Sequence, residues 1–332
     1  MMASQAPQAS SGSRSIPASF FGIILGLVGL GDCWRVAHHA WGLPHWAGET
    51  IMLASFGIWV LLLGLYITKW IWQRNEAIAE WRHPFQSCYI GLSGVSTALA
   101  AVAIAPYLHG LAVVLFAVGS TAQLLYGLIF TGRSLQGNSE VSLISPALYL
   151  PTVAGNFVSS FVAGYLHFTS LGIIFFGAGL LSWLSLESLI NGRLNYGKSL
   201  PVALRPSLGI LLAPPVVGLI GYLFVTGGIG GAKPGLFPQL LFGYGLFQLL
   251  LLVRMMPWIK AQRFGASYWA FSFGITAIAF DAIVFILRGD NGLAAKLAPA
   301  LFILANVVLA LLIVGTVVKL VRGSLLPPAL TS

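Results

Sequence analysis

Long apolar stretches alternate with short polar connections along almost the whole chain. Ten of these stretches are roughly 20 residues long, which is the length that a helix needs to cross a hydrocarbon core. Strands of a membrane barrel are about half that length and alternate apolar with polar positions, which these stretches do not. The pattern predicts ten transmembrane helices, in chain order at residues 18–38, 48–72, 84–106, 109–131, 145–167, 169–190, 203–226, 236–258, 267–287 and 294–320.

Composition and charge support a membrane protein and predict its orientation. The chain is 58% hydrophobic and 8% charged, whereas soluble domains carry about 25% charged residues. Of its 17 basic residues, only Arg35, Lys233, Arg288 and Lys296 fall on the side opposite to the termini. The positive-inside rule therefore predicts cytoplasmic termini in the cell (inner) membrane. The same rule explains the net charge of +9 without a nucleic-acid partner.

The segments outside the ten stretches are predicted to be short cytoplasmic tails. Residues 1–17 are rich in Ser, Ala and Gln and predict a disordered tail, and residues 323–332 predict a second one. Residues 18–322 then form a single transmembrane domain. A signal peptide with SFFGIILGLVGLG as its apolar core is the alternative, but only Arg14 precedes that core and no small-residue cleavage site follows.

Glycine and proline recur in the odd-numbered stretches with a period of one helical hairpin. Gly29, Gly91, Pro151, Pro214 and Gly274 are separated by 60 to 63 residues. Such residues are tolerated where neighbours or a cavity satisfy the backbone, and they let helices approach closely. We therefore predict five hairpins, with odd-numbered helices in an inner pore ring and even-numbered helices in an outer ring. The predicted pore-lining or helix-kinking residues are Gly26, Gly29, Gly91, Ser93, Gly94, Pro151, Gly155, Pro214, Pro215, Gly274 and Thr276.

Catalytic, metal and cofactor signatures are weak in this sequence. There is no HExxH, GxSxG or Walker motif, so we do not predict an enzyme. A metal site from His38, His39 and His45 is conceivable, but loop histidines are more often solvated, so neither a metal nor a cofactor is predicted. A pathway lined by Gly, Ser, Thr and backbone binds permeants weakly, as a channel requires. Basic residues at its mouths favour anions, with small neutral solutes as the alternative.

The ninth stretch, YWAFSFGITAIAFDAI, combines two aromatic faces with a carboxylate. Phe271 and Phe273 point about 200° apart on a helix of 3.6 residues per turn. Phe271 shares a bulky face with Ile275 and Ile278, which predicts packing. Phe273 shares a smaller face with Ala270, which predicts a position beside the pore. The alternative is an aromatic side chain that fills the bundle core.

Asp281 is the ionisable residue that keeps a carrier mechanism open. We expect it to pair with Arg35, Arg288 or a neighbouring helix near the outer face. The alternative is a proton-linked carrier, because an ionisable group within a span is a functional candidate by default.

Six stretches of the sequence resemble the tellurite-resistance/dicarboxylate transporter family, which also contains the slow-type anion channel of plant guard cells. The resemblance runs from about Ser19 to Arg322, although Ile24 and Ser93 stand where relatives often carry proline. The stretches are FFGIILGLVGL, YLPTVAGNFVSS, IFFGAGLLSW, LGILLAPPVVGLIGYL, GYGLFQLLLLVRMMPW and WAFSFGITAIA.

That resemblance implies a fold, an assembly and a function. It implies ten helices as five hairpins, and a homotrimer with one pore in each protomer. It implies a gated channel for small inorganic anions such as chloride and nitrate, or an exporter of tellurite, dicarboxylate or sulfite. It also implies that a phenylalanine of the ninth helix occludes the pore, and the matching residue is Phe273.

Overall fold

The computed structural model of the chain describes residues 15–137 and 144–326. Most of the two predicted tails lies outside these ranges. The described residues form helices and connections without a strand, and ten of the helices are long and apolar enough to cross a membrane, as predicted. In chain order, span 1 to span 10 are Ala18–Trp41, His45–Trp72, Gln86–Ile104, His109–Leu135, Pro146–Tyr165, Thr169–Tyr196, Val202–Val225, Leu236–Ile259, Ala266–Leu287 and Leu293–Val321.

Several even-numbered helices are longer than their apolar stretches predict. Span 6 was expected to end at residue 190, but it continues to Tyr196. Its polar end is stabilised because Asn191 Nδ2 donates to Glu187 Oε1 at 2.9 Å and an Arg193 guanidinium nitrogen donates to the Lys198 carbonyl at 2.8 Å. Hydropathy marks only the part of a helix that lies in hydrocarbon, so it misses such extensions.

The five odd-numbered spans all begin with irregular helical turns. Span 9 has a 3₁₀ segment at Ala266–Phe271 before its α-helix at Ser272–Leu287. Span 7 has a longer one, and its α-helix begins only at Ala213. Pro214 and Pro215 occupy the first turn of that α-helix, where backbone N–H groups have no intrahelical partner to lose. The corresponding starts of spans 1, 3 and 5 are Ala18–Phe21, Gln86–Tyr89 and Pro146–Leu148, the last followed by a π-helical turn at Leu150–Ala154.

Burial alternates along the chain with the same period of two helices. In the most apolar stretch of each odd-numbered span, 78 to 89% of the residues are buried, against 22 to 39% in the even-numbered spans. Each odd-numbered span packs on the even-numbered span that follows it. The odd-numbered spans also contact one another in the order 1, 3, 5, 7, 9 and back to 1.

A short helix that hydropathy did not predict connects spans 2 and 3. It covers Arg74–Arg82 and buries Glu80, whose carboxylate pairs with Lys69 of span 2 at 2.8 Å. The backbone N–H of Ala18 donates to the other oxygen of Glu80 at 2.7 Å. The short helix therefore fixes the point at which span 1 begins.

Candidate functional site

Two cavities lie at opposite ends of the odd-numbered spans. The N-side cavity, of about 520 Å³, is lined by residues from the first turns of all five odd-numbered spans, such as Phe20, Tyr89, Leu150, Leu204 and Ala266. The C-side cavity, of about 640 Å³, is lined by residues near the ends of the same spans and by the connections that follow them. Each cavity has exposed residues in its wall, so both reach the protein surface.

The two cavities approach each other along one face of span 9. Phe273 is 7% exposed and lines the N-side cavity, whereas Phe280 lines the C-side cavity. These residues are seven positions apart, which is two turns or about 10.5 Å along a helix. Phe224 of span 7 also lines the C-side cavity, and its ring stacks on Phe280 with 6.1 Å between centroids. Aromatic side chains therefore form the floor of the C-side cavity.

Phe271 lies on another side of span 9. It lines neither of the two cavities, and it packs against Gly209 of span 7, where an added Cβ would lie 2.7 Å from Phe271 Cγ. Ala270 and Phe273, which share a face in the sequence pattern, both line the N-side cavity, and so does Ala266. The structure thus gives the two phenylalanines different surroundings.

Among the other predicted pore residues, Pro214 lines the N-side cavity, whereas Gly26, Gly29 and Thr276 lie where spans 1 and 9 touch. Gly26 faces Ser272, and Gly29 faces Thr276. A Cβ at Gly29 would lie 3.0 Å from Thr276 Cβ and 3.3 Å from a ring carbon of Phe273. The small residues of span 1 therefore allow span 9 to approach it closely, next to Phe273.

Predicted pore residues of spans 3 and 5 also lie at helix contacts. A Cβ at Gly94 would lie 2.7 Å from the backbone nitrogen of Gln123 in span 4, and a Cβ at Gly155 would overlap the Gln123 side chain. Gly91 lies between Tyr126 and Pro151. Three predicted residues remain. The Ser93 hydroxyl donates to the Ile90 carbonyl. Pro215 lies in the first α-helical turn of span 7, and Gly274 packs against Leu212.

The N-side cavity has a cationic mouth, formed by two residues that the sequence analysis did not single out. Arg263 and Lys319 line it, and none of its lining residues is Asp or Glu. One wall is held by Tyr149, which donates to Glu187 Oε2 at 2.5 Å. Glu187 also accepts from Trp183 at 2.7 Å and from Tyr244 at 2.5 Å, which ties spans 5, 6 and 8 together. The sequence gives no signal for this cluster, because Tyr149 and Tyr244 meet Glu187 only through tertiary contacts between spans.

The C-side cavity has mixed charge. Arg35 lines it and forms a bidentate pair with Glu49 at 2.7 and 2.8 Å, while Asp32 lies 3.9 Å from the same guanidinium. Tyr107 donates to Glu49 at 2.7 Å, and this hydrogen bond raises the pKa of Tyr107. His39, His109 and His167 also line the cavity. No group of three His, Cys, Asp or Glu side chains among the described residues is placed to hold a metal ion.

Arg288 holds a loop that forms part of the C-side wall. Its Nε donates to the Gly228 carbonyl at 2.7 Å, and another guanidinium nitrogen donates to the Leu223 carbonyl. Burial lowers the pKa of Arg288, which is 7% exposed and just past the end of span 9. The loop residues Gly227 to Gly230 line the cavity, so Arg288 positions that wall.

The expected pairing of Asp281 is wrong. Asp281 is fully buried, and neither of its carboxylate oxygens has a hydrogen-bond partner among the described residues. Arg35 pairs instead with Glu49 of span 2, and Arg288 donates to the Gly228 carbonyl after span 7. Arg288 lies just past the end of span 9, but Arg35 and Asp281 each lie six residues before the last residue of their spans. Depth in the span therefore does not separate Arg35 from Asp281: Arg35 reaches a carboxylate on span 2, whereas the Asp281 carboxylate reaches no cation in the part of the chain that the structure describes. Cys33, a buried residue of span 1, donates its thiol to the Thr276 carbonyl at 3.0 Å.

Comparisons with known proteins agree on one family. The profile of the voltage-dependent anion channel family, SLAC1, matches residues 15–317. A tellurite resistance protein TehA homologue of Haemophilus influenzae is 30% identical over 313 residues, which cover 93% of this chain and 92% of that protein. The S-type anion channel SLAH3 of Arabidopsis thaliana is 23% identical over 314 residues, covering 91% of this chain and 48% of that channel. The chain therefore belongs to the voltage-dependent anion channel family, whose members are membrane transporters and channels.

Proposed function

We propose that this protein is a gated anion channel with one pathway inside each chain. In this proposal the five odd-numbered spans form an inner ring, and the even-numbered spans form an outer ring that faces lipid. The cyclic contacts of spans 1, 3, 5, 7 and 9 support the inner ring. The low burial of the even-numbered spans supports the outer one.

The observation that carries the proposal is the approach of two cavities from opposite ends along one face of span 9. The N-side cavity reaches Phe273 and the C-side cavity reaches Phe280 from the other end. In the proposed closed state, the Phe273 ring fills the pathway between the cavities. Gly29 beside it leaves room for that ring, because a Cβ at Gly29 would lie 3.3 Å from it.

Small anions such as chloride and nitrate are the proposed permeants. Arg263 and Lys319 at the N-side mouth raise the local concentration of anions, and no acidic side chain lines that cavity. The names of the relatives, an S-type anion channel and a tellurite resistance protein, agree with anionic permeants.

We place the protein in the inner membrane as a homotrimer, with the N-side cavity facing the cytoplasm. Both described chain ends lie on the N side, where Pro17 and Leu326 line the cavity. In the sequence, only four of the 17 basic residues are predicted on the opposite side. The positive-inside rule supports this orientation. The trimer rests on the resemblance to the family, and molar-mass measurement of the purified protein in detergent tests it.

The gate is tested by a matched pair of phenylalanine variants. Phe273→Ala removes the ring from the pathway, so we expect anion current in planar bilayers to rise at least ~tenfold, equivalent to about 1.4 kcal/mol off the barrier. Phe271→Ala removes the same ring two residues away, where it packs against Gly209. We expect no comparable rise for Phe271→Ala. Unchanged current from well-folded Phe273→Ala protein would rule out this gate.

The isolation of Asp281 favours one alternative, a proton-linked carrier. A fully buried carboxyl group without a partner is costly unless it has a role, and proton relays in transporters use such groups. In that case Asp281→Asn abolishes the pH dependence of anion uptake into proteoliposomes. Asp290→Asn is the control, because Asp290 lies outside the spans near Lys233. Uptake by the unmodified protein that does not depend on pH would eliminate the carrier.

A further inference from the structure

The N-side cavity is larger and more apolar than the passage of a small inorganic anion requires. Its volume of about 520 Å³ falls within the range of about 300–1,000 Å³ that is typical of pockets for organic ligands. Apolar side chains from spans 1, 3, 5, 7 and 9 form the interior. They include Phe20, Leu92, Phe157, Val217 and Phe273.

Two cations stand at the mouth of this apolar interior. Arg263 is exposed and Lys319 is half-buried, and both line the cavity. Neither has an Asp or Glu oxygen within 4 Å among the residues that the structure describes. Their charges are therefore not neutralised by the protein, unlike that of Arg35 in the C-side cavity, which pairs with Glu49.

The chain after span 10 adds an apolar wall beside these cations. Gly323 has φ +62°, and the N–H of Ser324 donates to the Lys319 carbonyl at 2.9 Å, which turns the chain back toward the bundle. Leu325 and Leu326 then line the cavity. Cationic and apolar surfaces thus adjoin at one mouth.

We propose that the N-side cavity binds organic monoanions that carry an apolar body, such as an aromatic carboxylate. The acidic head lies at Arg263 and Lys319, and the apolar body lies against the aromatic walls outside Phe273. The binding site stands on its own geometry. Competition between such a ligand and inorganic anions, however, rests on the proposed channel function.

Of the two cavities, only the N-side cavity has the features that such a ligand requires. The C-side cavity offers a carboxylate at Asp32 and a guanidinium already paired with Glu49, so it lacks the combination of free cations and apolar wall. A ligand of this class is therefore expected to act from the N side only.

Binding is measured by titration calorimetry on the full chain in nanodiscs, with empty nanodiscs as the blank. The probe is 2-naphthoate, and the comparison compounds are acetate, which has the charge alone, and naphthalene-2-methanol, which has the apolar body alone. We expect 2-naphthoate to bind at least ~tenfold more tightly than either, because both surfaces contribute. Equal affinity for 2-naphthoate and either comparison compound would overturn the proposal.

A double variant tests the position of the acidic head. Arg263→Gln with Lys319→Gln is expected to weaken 2-naphthoate binding about fivefold, since exposed charge pairs contribute modestly. The matched control is Lys260→Gln with Arg322→Gln, which removes two nearby exposed cations that do not line the cavity. Equal losses of affinity in the two double variants would show that only the overall positive charge at this end of the protein matters. That result would overturn the placement of the acidic head at Arg263 and Lys319.

Bilayer recordings, compared with the binding measurements, test anion conduction separately from ligand binding. Anion current without 2-naphthoate binding would contradict the inference and leave the channel function intact. Saturable 2-naphthoate binding without any anion current would support the binding site and contradict the channel function. With both present, addition of 2-naphthoate on the N side is expected to reduce the current, and addition on the C side is not.

Discussion

Two buried carboxylates show how differently single charged residues are accommodated in this bundle. Glu80 is 1% exposed, but Lys69 and the N–H of Ala18 compensate its charge. Asp281 is equally buried and has no partner among the described residues. Burial of a charge costs several kcal/mol unless it is paired, so the first group suits a structural role and the second suits a functional one.

The pair of Lys69 and Glu80 leads to a stability prediction. Lys69→Met keeps a side chain of similar length and leaves the Glu80 carboxylate buried without its cation. Breaking a buried pair from one side costs about 3–5 kcal/mol, so we expect a clear fall in the thermal midpoint of the protein in detergent.

Lys233→Met provides the matched control for that prediction. Lys233 lies 3.9 Å from Asp290, but its side chain is 59% exposed. Exposed pairs contribute about 0–1 kcal/mol, so the midpoint should hardly move. Similar shifts in the two variants would mean that the buried pair does not hold the start of span 1.

Sequence reasoning identified Asp281 as unusual but did not predict its surroundings. The position of Asp281 in an apolar helix is visible in the sequence, and so is the presence of Arg35 and Arg288 near the same membrane face. Which groups meet depends on the rotation of each helix, and Glu49 of span 2 is the carboxylate that reaches Arg35. Rotation is set by packing between helices, which a single sequence does not encode locally.

At the scale of helices, the contact between spans 1 and 9 depends on small residues. Gly26 meets Ser272, Gly29 meets Thr276, and the Cys33 thiol donates to the Thr276 carbonyl. Without a hydrophobic driving force between helices in lipid, such close approach and interhelical bonding stabilise the pair. The contact also fixes the helix face that carries Phe273.

A single methyl group should disturb this contact. Gly29→Ala places a Cβ against Thr276 and near the Phe273 ring, so we expect a loss of about 1–3 kcal/mol in stability. Adding Thr276→Ala should restore part of that loss, because it removes the nearest atom. The measurement is the thermal midpoint of each purified variant in detergent.

Gly57 in span 2 is the control position for the added methyl group. A Cβ there would meet nothing within 4 Å, so Gly57→Ala should be neutral or slightly stabilising. A Gly29→Ala protein as stable as Gly57→Ala would argue against the tight contact.

Helix number was predictable from the sequence, whereas the environment of individual glycines was not. The apolar stretches predicted all ten spans, and proline and glycine marked the spans that are buried. The same signal did not separate residues at a cavity, such as Pro214, from residues between helices, such as Gly94 and Gly155. A cavity wall and a close helix contact both favour small residues, because each leaves little room for a side chain. The helix at Arg74–Arg82 is too polar for hydropathy to detect.

At the scale of the whole molecule, two cavities and one helix face define the proposed pathway. Five buried spans contact one another in a cycle, and cavities lie at their two ends. The N-side cavity has uncompensated cations, whereas the C-side cavity has a compensated one. This asymmetry favours anions on the N side and leaves Phe273 as the proposed barrier.

The most direct test of that pathway is the reversal potential in planar bilayers. Phe273→Ala, Phe271→Ala and unmodified protein are compared under tenfold gradients of chloride, nitrate and malate salts. For Phe273→Ala in chloride, we predict an enlarged current that reverses near the chloride equilibrium potential, about 59 mV for a monovalent ion. A reversal at the potential of the cation, or a current no larger than that of Phe271→Ala, would contradict an anion pathway closed by Phe273.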